Sequence, residues 1–553
     1  MTGIVQAVPV VGEQGGPGRV RAGLAVTGLT APEWVFALAS ALAAEGDVDL
    51  SLVVVDAGVS VRSPARRSGA AGRLWSCVRS VDAVLQRLVC RGSPRPAATV
   101  DLGTTGLRVA HDTDHGLDVI INVAGASRSA ALCRRGGVPV WWLDHDGGAL
   151  WPDVASGYAE TLSGAPVTCC RLWALPDIAD APVVLRSARF STHPLLCAEN
   201  REQLLWKSIS LVVQKLRELR LNGEVQSEGP EAPETPAPEL ADVSAVGLSQ
   251  IVAGHAGRAA RFVARRLLWR EQWFLLFDDR PGVVAGEGVD SDQQPLFAVQ
   301  PTRALTSGPD RYWADPHLLP GGDGRLVLVE EYMYGSRRGR IALLRLGEGG
   351  ALEEARVVVE EDCHLSYPSV FEHGGELYMV PESSELNRIC AYRCVDFPWG
   401  WEPAATLVDG VRACDSSILK HESRWWLFAT VREDPWLSPR DTLHVFYADD
   451  PLTGPWMEHP GNPVVCDARR ARPAGLPFSV QGRLYRPSQD CSRRYGYGIR
   501  INEIVCLSPT EFREREVSFI EPVWSGTCAT HTYARDGGVV VVDALRWLKG
   551  RRG

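Results

Sequence analysis

Two patterns of hydrophobic positions divide the chain. Up to residue 221, apolar runs of strand length alternate with segments of helical spacing. Val20–Val26 is a strand-like run, the helical run Pro32–Ala44 follows it, and Asp49–Val55 and Leu117–Val123 supply two further buried strands. Strands that alternate with helices predict an α/β, Rossmann-like domain over residues 20–221, with a parallel sheet covered by helices on both faces.

Residues 222–245 interrupt this periodicity. The segment is rich in Pro, Glu and Ala, a composition typical of a semi-extended linker without a packed core. Residues 246–272 then form a predicted amphipathic helix in which arginines are interleaved with apolar side chains. Such a helix packs on a neighbouring domain or rests on an acidic headgroup surface, so peripheral contact through this basic helix is one predicted partner interaction.

From residue 273 to residue 553 the pattern changes to short β runs separated by Gly- and Asp-rich turns, which indicates an all-β region. A repeat appears when five short segments are aligned on Asp315, Tyr367, Asp415, Arg472 and His531, at steps of 52, 48, 57 and 59 residues. Units of this length predict a five-bladed β-propeller, closed by a strand over Trp273–Phe277 that pairs with the last blade.

The aligned positions have a functional interpretation. The first strand of each blade lies nearest the propeller axis, so the five aligned side chains are expected to converge on one central pocket. The alternative is that they are turn and cap residues at the starts of the blades.

Composition narrows the classes of function. A net charge of -9 without a long Lys/Arg run argues against nucleic acid as a partner. The apolar runs are too short for a transmembrane segment, and no secretory signal is seen, so a cytoplasmic location is expected. The 14 cysteines lack the paired spacing of a zinc site, and no metal is predicted.

Residues 20–220 resemble the folate-dependent formyltransferases. The resemblance is carried by the strand Val138–His145, a Gly-rich loop ending at Pro152, a helix to Gly164, and a hairpin at Asp180. His145 and Asp180 stand 35 positions apart, as the family's catalytic pair does. The sequence departs from the family in having Leu143 at the position of the family's Asn.

That resemblance implies a reaction. In the family an amine attacks the formyl group of 10-formyltetrahydrofolate, the predicted cofactor. By resemblance His145 donates to the developing oxyanion, and Asp180 orients the ring and helps to accept the proton.

Residues 273–545 are similar to the amino-terminal region of plant glucosamine inositolphosphorylceramide transferases, whose propeller is like those of glycoside hydrolases that act on furanosides. The similarity is carried by Ala314–Pro316, Glu330–Glu331, His364–Pro368, Pro381–Ser383, Ala471–Gly475, Tyr485–Cys491 and His531–Thr532. It implies that Asp315 is a base or nucleophile and that Asp415 tunes its partner.

Blade four departs from that pattern. Arg472 stands where a general-acid Glu is expected, so the general acid either comes from elsewhere, with Glu382 as the candidate, or is absent. Arg472 and Arg486 suit an anionic ligand, or alternatively salt bridges to Asp415 and Asp490. The predicted central pocket contains Asp315, Glu382, Asp415, Arg472, Arg486, Asp490 and His531.

Together these features predict a multidomain protein that formylates an amine, with the propeller selecting an amino sugar or glycoside. Two alternatives stay open. One is a propeller glycoside hydrolase or transglycosylase whose formyltransferase-like domain is not catalytic. The other is a carbohydrate-binding protein.

Overall fold

The structure is a computed structural model of the full chain. It describes residues 7–9, 19–55, 82, 99–110, 116–125, 128–144, 157–228, 245–280, 297–432, 437–536 and 538–550. The chain divides into two compact units, Met1–Ala260 and Arg261–Gly553.

The first unit is built on a seven-stranded mixed sheet. In spatial order its strands are Val183–Ser191, Val167–Leu175, Val140–Asp144, Val119–Asn122, Val20–Val26, Val48–Val54 and Arg108–Ala110. The last five run parallel, and the one that comes first in the chain, Val20–Val26, lies at their centre. The first two are antiparallel, so the prediction of an all-parallel sheet is wrong at this edge.

The described helices are Glu33–Ala44, Ser129–Gly136, Tyr158–Ser163, Cys197–Asn222 and Ala245–Leu268. The first and the last lie close to the predicted helical runs 32–44 and 246–272, and Tyr158–Ser163 ends just before Gly164, as predicted. Helix Cys197–Asn222 packs on helix Glu33–Ala44 and on the sheet, burying a stripe that includes Leu204, Leu211 and Leu216. Two short ladders, Ala7–Pro9 with Glu224–Gln226 and Thr30–Pro32 with Thr99–Asp101, complete the unit.

Most of the predicted linker, residues 229–244, lies outside the described residues. The basic helix is Ala245–Leu268, and residues 261–268 of it are exposed. Contact of this helix with an acidic surface stays a prediction. Among the described helices none combines the length and the apolar content that crossing a bilayer needs.

The second unit contains five four-stranded antiparallel sheets, which confirms the predicted five-bladed propeller. Blades one to four each use four consecutive strands. Blade one consists of Arg311–Leu318, Leu326–Met333, Arg338–Leu346 and Leu352–Val359, and blade two of Ser366–His373, Glu376–Glu382, Arg388–Asp396 and Gly400–Asp409. Blade three consists of Ala413–His421, Arg424–Val431, His444–Ala448 and Met457–Glu458, and blade four of Phe478–Val480, Arg483–Asp490, Gly498–Leu507 and Phe512–Ile520. Blade five combines Tyr533–Asp536 and Val539–Lys549 with Trp269–Asp278 and Arg303–Leu305.

The ring closes through blade five. Strand Trp269–Asp278 pairs along its whole length with Val539–Lys549, and it begins four residues before the predicted closing strand. Phe274 and Leu276 pack in an apolar cluster shared with blade four, whereas Leu275 and Phe277 pack in one shared with blade one. Alternate side chains of a strand face opposite sides, so one strand seals both joints. Similar clusters fill the joints between blades one and two, two and three, and three and four.

Candidate functional site

A repeated backbone feature places side chains at the centre of the propeller. In blades one to three the first strand breaks register at the same point, and the residue in the break has a positive φ: Asp315 at 51°, Tyr367 at 47° and Asp415 at 51°. Left-handed backbone is uncommon for residues other than Gly, and it clusters at functional sites. The sequence repeat therefore records a repeated bulge.

Asp315 is held by groups from two other blades. Thr532 Oγ1 donates to Asp315 Oδ1 at 2.8 Å, and the Tyr367 N–H donates to Oδ2 at 3.3 Å. His531 Nε2 lies 3.5 Å from Oδ1. Blades five, one and two thus meet at this one carboxylate.

Asp543 fixes the His531 side of the site. Its carboxylate accepts the backbone N–H groups of Asp315, His531 and Thr532 at 3.1, 2.8 and 3.0 Å, and its Oδ2 lies 2.5 Å from His531 Nδ1. The ring of His531 stacks on Trp273 at 4.2 Å. Atoms of Asp315, His531 and Asp543 lie within 4.8 Å of one another, a donor set that suits a cation. Since Asp543 already accepts three N–H groups, we assign it a positioning role.

A second network joins blades two, three and four. Arg472 donates to Asp415 through Nε at 2.6 Å and Nη2 at 3.1 Å, and to Glu382 Oε2 at 3.3 Å. Glu382 also accepts the Asp415 N–H at 3.2 Å, and Gln489 Nε2 donates to Asp415 at 2.7 Å. Arg472 is therefore fully used in neutralising two carboxylates.

Glu330 is the fifth buried carboxyl group. It lies on strand Leu326–Met333 and is 5% exposed. We call Asp315, Glu330, Glu382, Asp415 and Asp543 the central acid cluster. The cations inside it are Arg472 and, when protonated, His531.

Crowded negative charge and burial alter the proton affinities. Burial, with the neighbouring acids, raises the pKa of Asp315 to about 6, although His531 opposes the rise. Burial likewise raises the pKa of Asp415 to about 7 against the opposing effect of Arg472. Burial alone would lower the pKa of His531, but Asp543 and Asp315 raise it. The cluster therefore holds groups that exchange protons near neutral pH.

Half-buried aromatic rings border the acids. Tyr312 and Tyr332 stack at 4.8 Å, and Tyr332 meets the ring of His364 edge-on at 6.1 Å. Tyr495 lies 5.5 Å from the His531 ring and under the guanidinium of Arg472 at 5.1 Å. Partly exposed tyrosines beside buried acids give an apolar face and hydroxyl groups next to ionisable ones.

The structure brings together five of the predicted pocket residues: Asp315, Glu382, Asp415, Arg472 and His531. It does not bring Arg486 or Asp490 to this network. Arg486 forms a bidentate pair with Glu514 at 2.8 and 2.9 Å, and Asp490 pairs with Arg500 at 2.7 Å. The predicted alternative of salt bridges is observed for Arg472 with Asp415, whereas the partner of Arg486 is Glu514 and not Asp490.

The residues expected to act in the first unit form no described site. His145 lies outside the described residues. Asp180 is exposed in a turn, where its N–H donates to the Asp177 carbonyl at 3.1 Å.

Sequence reasoning missed the roles of Glu330, Asp543 and Tyr495. Glu330 lies in a motif that carries the propeller resemblance, so its signal was available. Asp543 stands inside an apolar strand, Val539–Lys549, where a lone buried acid is itself unusual. Tyr495 lies in a turn between strands and carries no periodic signal.

The raised pKa values predict how stability depends on pH. The pKa of Asp315, of Asp415 and of His531 is higher in the folded state than the ordinary value of each group. The folded state therefore binds their protons more tightly than the unfolded state does. The stability that this difference contributes is lost as pH rises through the folded pKa. We expect the midpoint of thermal unfolding of the propeller to fall from about pH 5 to about pH 8. Calorimetry of the full chain measures this slope.

Two variants check its origin. Asp415→Asn should flatten the slope, whereas Asp310→Asn should leave it unchanged, because Asp310 is exposed and its pKa is lowered by its hydrogen bond to Arg311. An unchanged slope in Asp415→Asn would show that the cluster is not its source.

Comparison with known proteins places this geometry in context. Residues 294–531 match the family described as glucosamine inositolphosphorylceramide transferase 1, N-terminal. The rice (Oryza sativa subsp. japonica) protein of that name is 33% identical over 256 residues, covering 44% of this chain and 34% of its own length. The Arabidopsis thaliana protein is 35% identical over 214 residues, covering 38% of this chain and 28% of its own length.

The propeller is therefore homologous to the amino-terminal region of these transferases, as the sequence predicts, and the chain spans about a third of their length. Among solved structures, a β-xylosidase/α-arabinofuranosidase from a compost microbial metagenome is 14% identical with a TM-score of 0.31, covering 44% of this chain and 95% of its own.

These matches correct the predicted activity. The matching family model and relatives are named glucosamine inositolphosphorylceramide transferases and not formyltransferases, so the prediction of N-formyl transfer is wrong. Within that resemblance the catalytic pair was assigned from the spacing of two residues, and Asp180 lies in an exposed turn rather than a buried site. Binding of 10-formyltetrahydrofolate stays an untested prediction, and the reaction for which this cofactor was predicted has been corrected.

Proposed function

We propose that the propeller cleaves or transfers a glycosidic bond at its central acid cluster. The single observation that carries the proposal is that carboxyl groups from separate blades converge in one buried site, where the pKa of Asp315 is raised to about 6 and that of Asp415 to about 7. Carboxyl groups whose pKa is shifted toward neutral pH can act as general acids and general bases in catalysis.

The chemistry of glycosides explains why such a cluster is suitable. Breaking the bond at the anomeric carbon requires a proton for the leaving oxygen and a carboxylate that acts as base or nucleophile on the other side. In this site Asp315 supplies the carboxylate, and Thr532 and Asp543 hold its position. Asp415, bound to Arg472 and Gln489, orients the neighbouring acids and sets the local charge.

The half-buried tyrosines support a sugar as the ligand. Tyr312, Tyr332 and Tyr495 offer ring faces and hydroxyl groups, which suit the alternating apolar and polar surface of a pyranose or furanose ring. The names of the relatives specify glucosamine and inositolphosphorylceramide. Glucosaminyl and inositol glycosides are therefore the first substrates to test.

The test uses the full chain. It is incubated with aryl glycosides of glucosamine, N-acetylglucosamine, xylose and arabinofuranose, and with glucosaminyl-inositol, in the presence and absence of methanol as an acceptor. We expect release of the aglycone, and mass spectrometry separates free sugar from methyl glycoside, which distinguishes hydrolysis from transfer.

A carbohydrate-binding protein is the second candidate. The observation that favours it is the position of Arg472, which stands where a general-acid Glu was expected and neutralises two of the acids. Binding of a sugar by calorimetry without any turnover across the panel would select this candidate. Neither binding nor turnover would leave the cluster with a structural role and refute both.

A further inference from the structure

Glu330 differs from the other members of the central acid cluster in its partners. Glu382 and Asp415 share Arg472, and Asp315 and Asp543 share His531. Within the described part of the chain, Glu330 has no ion pair with a lysine or arginine, and its one charged-type contact is His364 Nε2, 3.5 Å from Oε1. It is therefore a buried carboxyl group without a permanent cation.

The contacts of His364 show where its proton lies. The Gly339 N–H donates to His364 Nδ1 at 2.8 Å, so Nδ1 bears the lone pair. Burial lowers the pKa of His364, although nearby acids oppose the shift, and the ring is neutral with its proton on Nε2. The imidazole thus presents an N–H to Glu330 without adding positive charge.

This environment keeps Glu330 protonated. Burial raises its pKa well above the ordinary value, and the charges of Asp315 and Glu382 raise it further. A carboxyl group that retains its proton at neutral pH can donate that proton to a leaving group. Glu382, the acid expected from the sequence, is instead paired with Arg472.

Gly339 makes the arrangement of Glu330 and His364 sterically possible. A Cβ at this position would stand 2.6 Å from Glu330 Oε1, 2.8 Å from His364 Cε1 and 2.4 Å from the Leu365 carbonyl oxygen. Both side chains therefore pack directly against the backbone of strand Arg338–Leu346. The ring of His364 also meets the half-buried Tyr332 edge-on, so the pair lies next to the aromatic border.

We infer that Glu330 is the proton donor of the glycosidic reaction, with His364 as its positioning residue. The inference rests on the function proposed above. As the anomeric C–O bond breaks, its electron pair stays on the leaving oxygen, which takes the Glu330 proton and departs as an alcohol. The oxygen of the attacking water or alcohol forms the new bond to the anomeric carbon and gives its proton to Asp315. Asp315 then releases that proton to solvent, and Glu330 takes one up from solvent, which restores both groups. The proton donor in this assignment comes from blade one. In blade four, Arg472 occupies the position at which the sequence comparison expected a general-acid Glu.

The test is the dependence of the Glu330→Gln variant on the leaving group. A glycoside with a poor leaving group needs the proton, and we expect its kcat/KM to fall by about 10²–10⁴-fold. A dinitrophenyl glycoside leaves without a proton, and its kcat/KM should stay close to that of the unaltered chain. Glu331→Gln is the matched control, since Glu331 pairs with Arg311 and Arg340 on the other side of the same strand, and its effect should not depend on the leaving group.

The outcomes separate the two hypotheses. Turnover by the unaltered chain combined with an equal loss on all leaving groups in Glu330→Gln would overturn the assignment of Glu330 and leave the proposed function standing. No turnover by the unaltered chain would overturn both. Infrared spectroscopy gives a second measurement that does not require turnover. The unaltered chain should show the C=O band of a protonated carboxyl group at neutral pH, and an unchanged band in Glu330→Gln would also refute the assignment.

Discussion

Replacement of Asp315 by Asn is expected to lower kcat/KM for the glycoside by about 10²–10⁴-fold, the range of a lost general base. The amide keeps the size of the carboxylate, and its oxygen can accept the Tyr367 N–H while its NH2 group donates to Thr532 Oγ1. It cannot accept a proton or bond to an anomeric carbon. Initial rates on the best substrate of the panel measure this effect.

The same substitution should not weaken the fold. Asp315 lies among four other buried acids, and removal of one like charge relieves repulsion. We expect the thermal midpoint of Asp315→Asn to equal or exceed that of the unaltered chain. Asp310→Asn serves as the control, because Asp310 is exposed and should change neither rate nor midpoint. Full activity in Asp315→Asn would remove Asp315 from the mechanism.

Replacement of Arg472 by Met is expected to lower the stability of the propeller by about 3–5 kcal/mol, the usual cost of breaking a buried ion pair. The change leaves Asp415 and Glu382 buried without their shared cation. It also removes the donor to the Pro439 carbonyl. Thermal unfolding of the full chain, monitored by calorimetry, measures this loss of stability.

A surface arginine provides the comparison. Arg513 pairs with Glu511 at 2.6 Å, but both side chains are more than half exposed, and Arg513→Met should change the midpoint little. A second variant combines Arg472→Met with Asp415→Asn. It should recover part of the lost stability, because the Asp415 carboxylate is no longer buried without its cation. An equal effect of the two single arginine changes would show that the buried network does not stabilise the ring.

The architecture of the propeller was predictable because its signal is repeated. Five similar segments at nearly constant steps, each followed by an apolar second strand, admit few folds other than a propeller. The closing strand was harder to place at its start, because Trp269 follows a helix directly and shares the helix's mixture of arginine and apolar residues. The antiparallel edge of the first unit's sheet was also missed, since Val167–Leu175 and Val183–Ser191 alternate in burial much like any strand.

The membership of the site was only partly predictable, because neighbours on a strand face opposite sides. Gln489 donates to Asp415, whereas the next residue, Asp490, turns away to Arg500. In the same way Glu330 faces the acid cluster and Glu331 faces Arg340. Each motif contains both residues, and only the register of the strand decides which one points to the axis.

The activity was predicted wrongly for a related reason. A spacing of 35 residues between a His and an Asp says nothing about whether the two side chains are buried or share a pocket. Asp180 is exposed, so the low-dielectric surroundings that tune a catalytic carboxylate are missing. The propeller resemblance succeeded because it involved many motifs from all five blades.

The joint in blade five also sets an order of events during protein synthesis. Strand Trp269–Asp278 is made before blades one to four, but its partner Val539–Lys549 is made after them. Thr532 and Asp543, which position Asp315, arrive with that partner. Until then Asp315 lacks the hydrogen bond from Thr532 and the neighbouring His531 and Asp543. Completion of the ring therefore completes the surroundings of Asp315, whereas the network of Glu382, Asp415 and Arg472 needs only blades two, three and four.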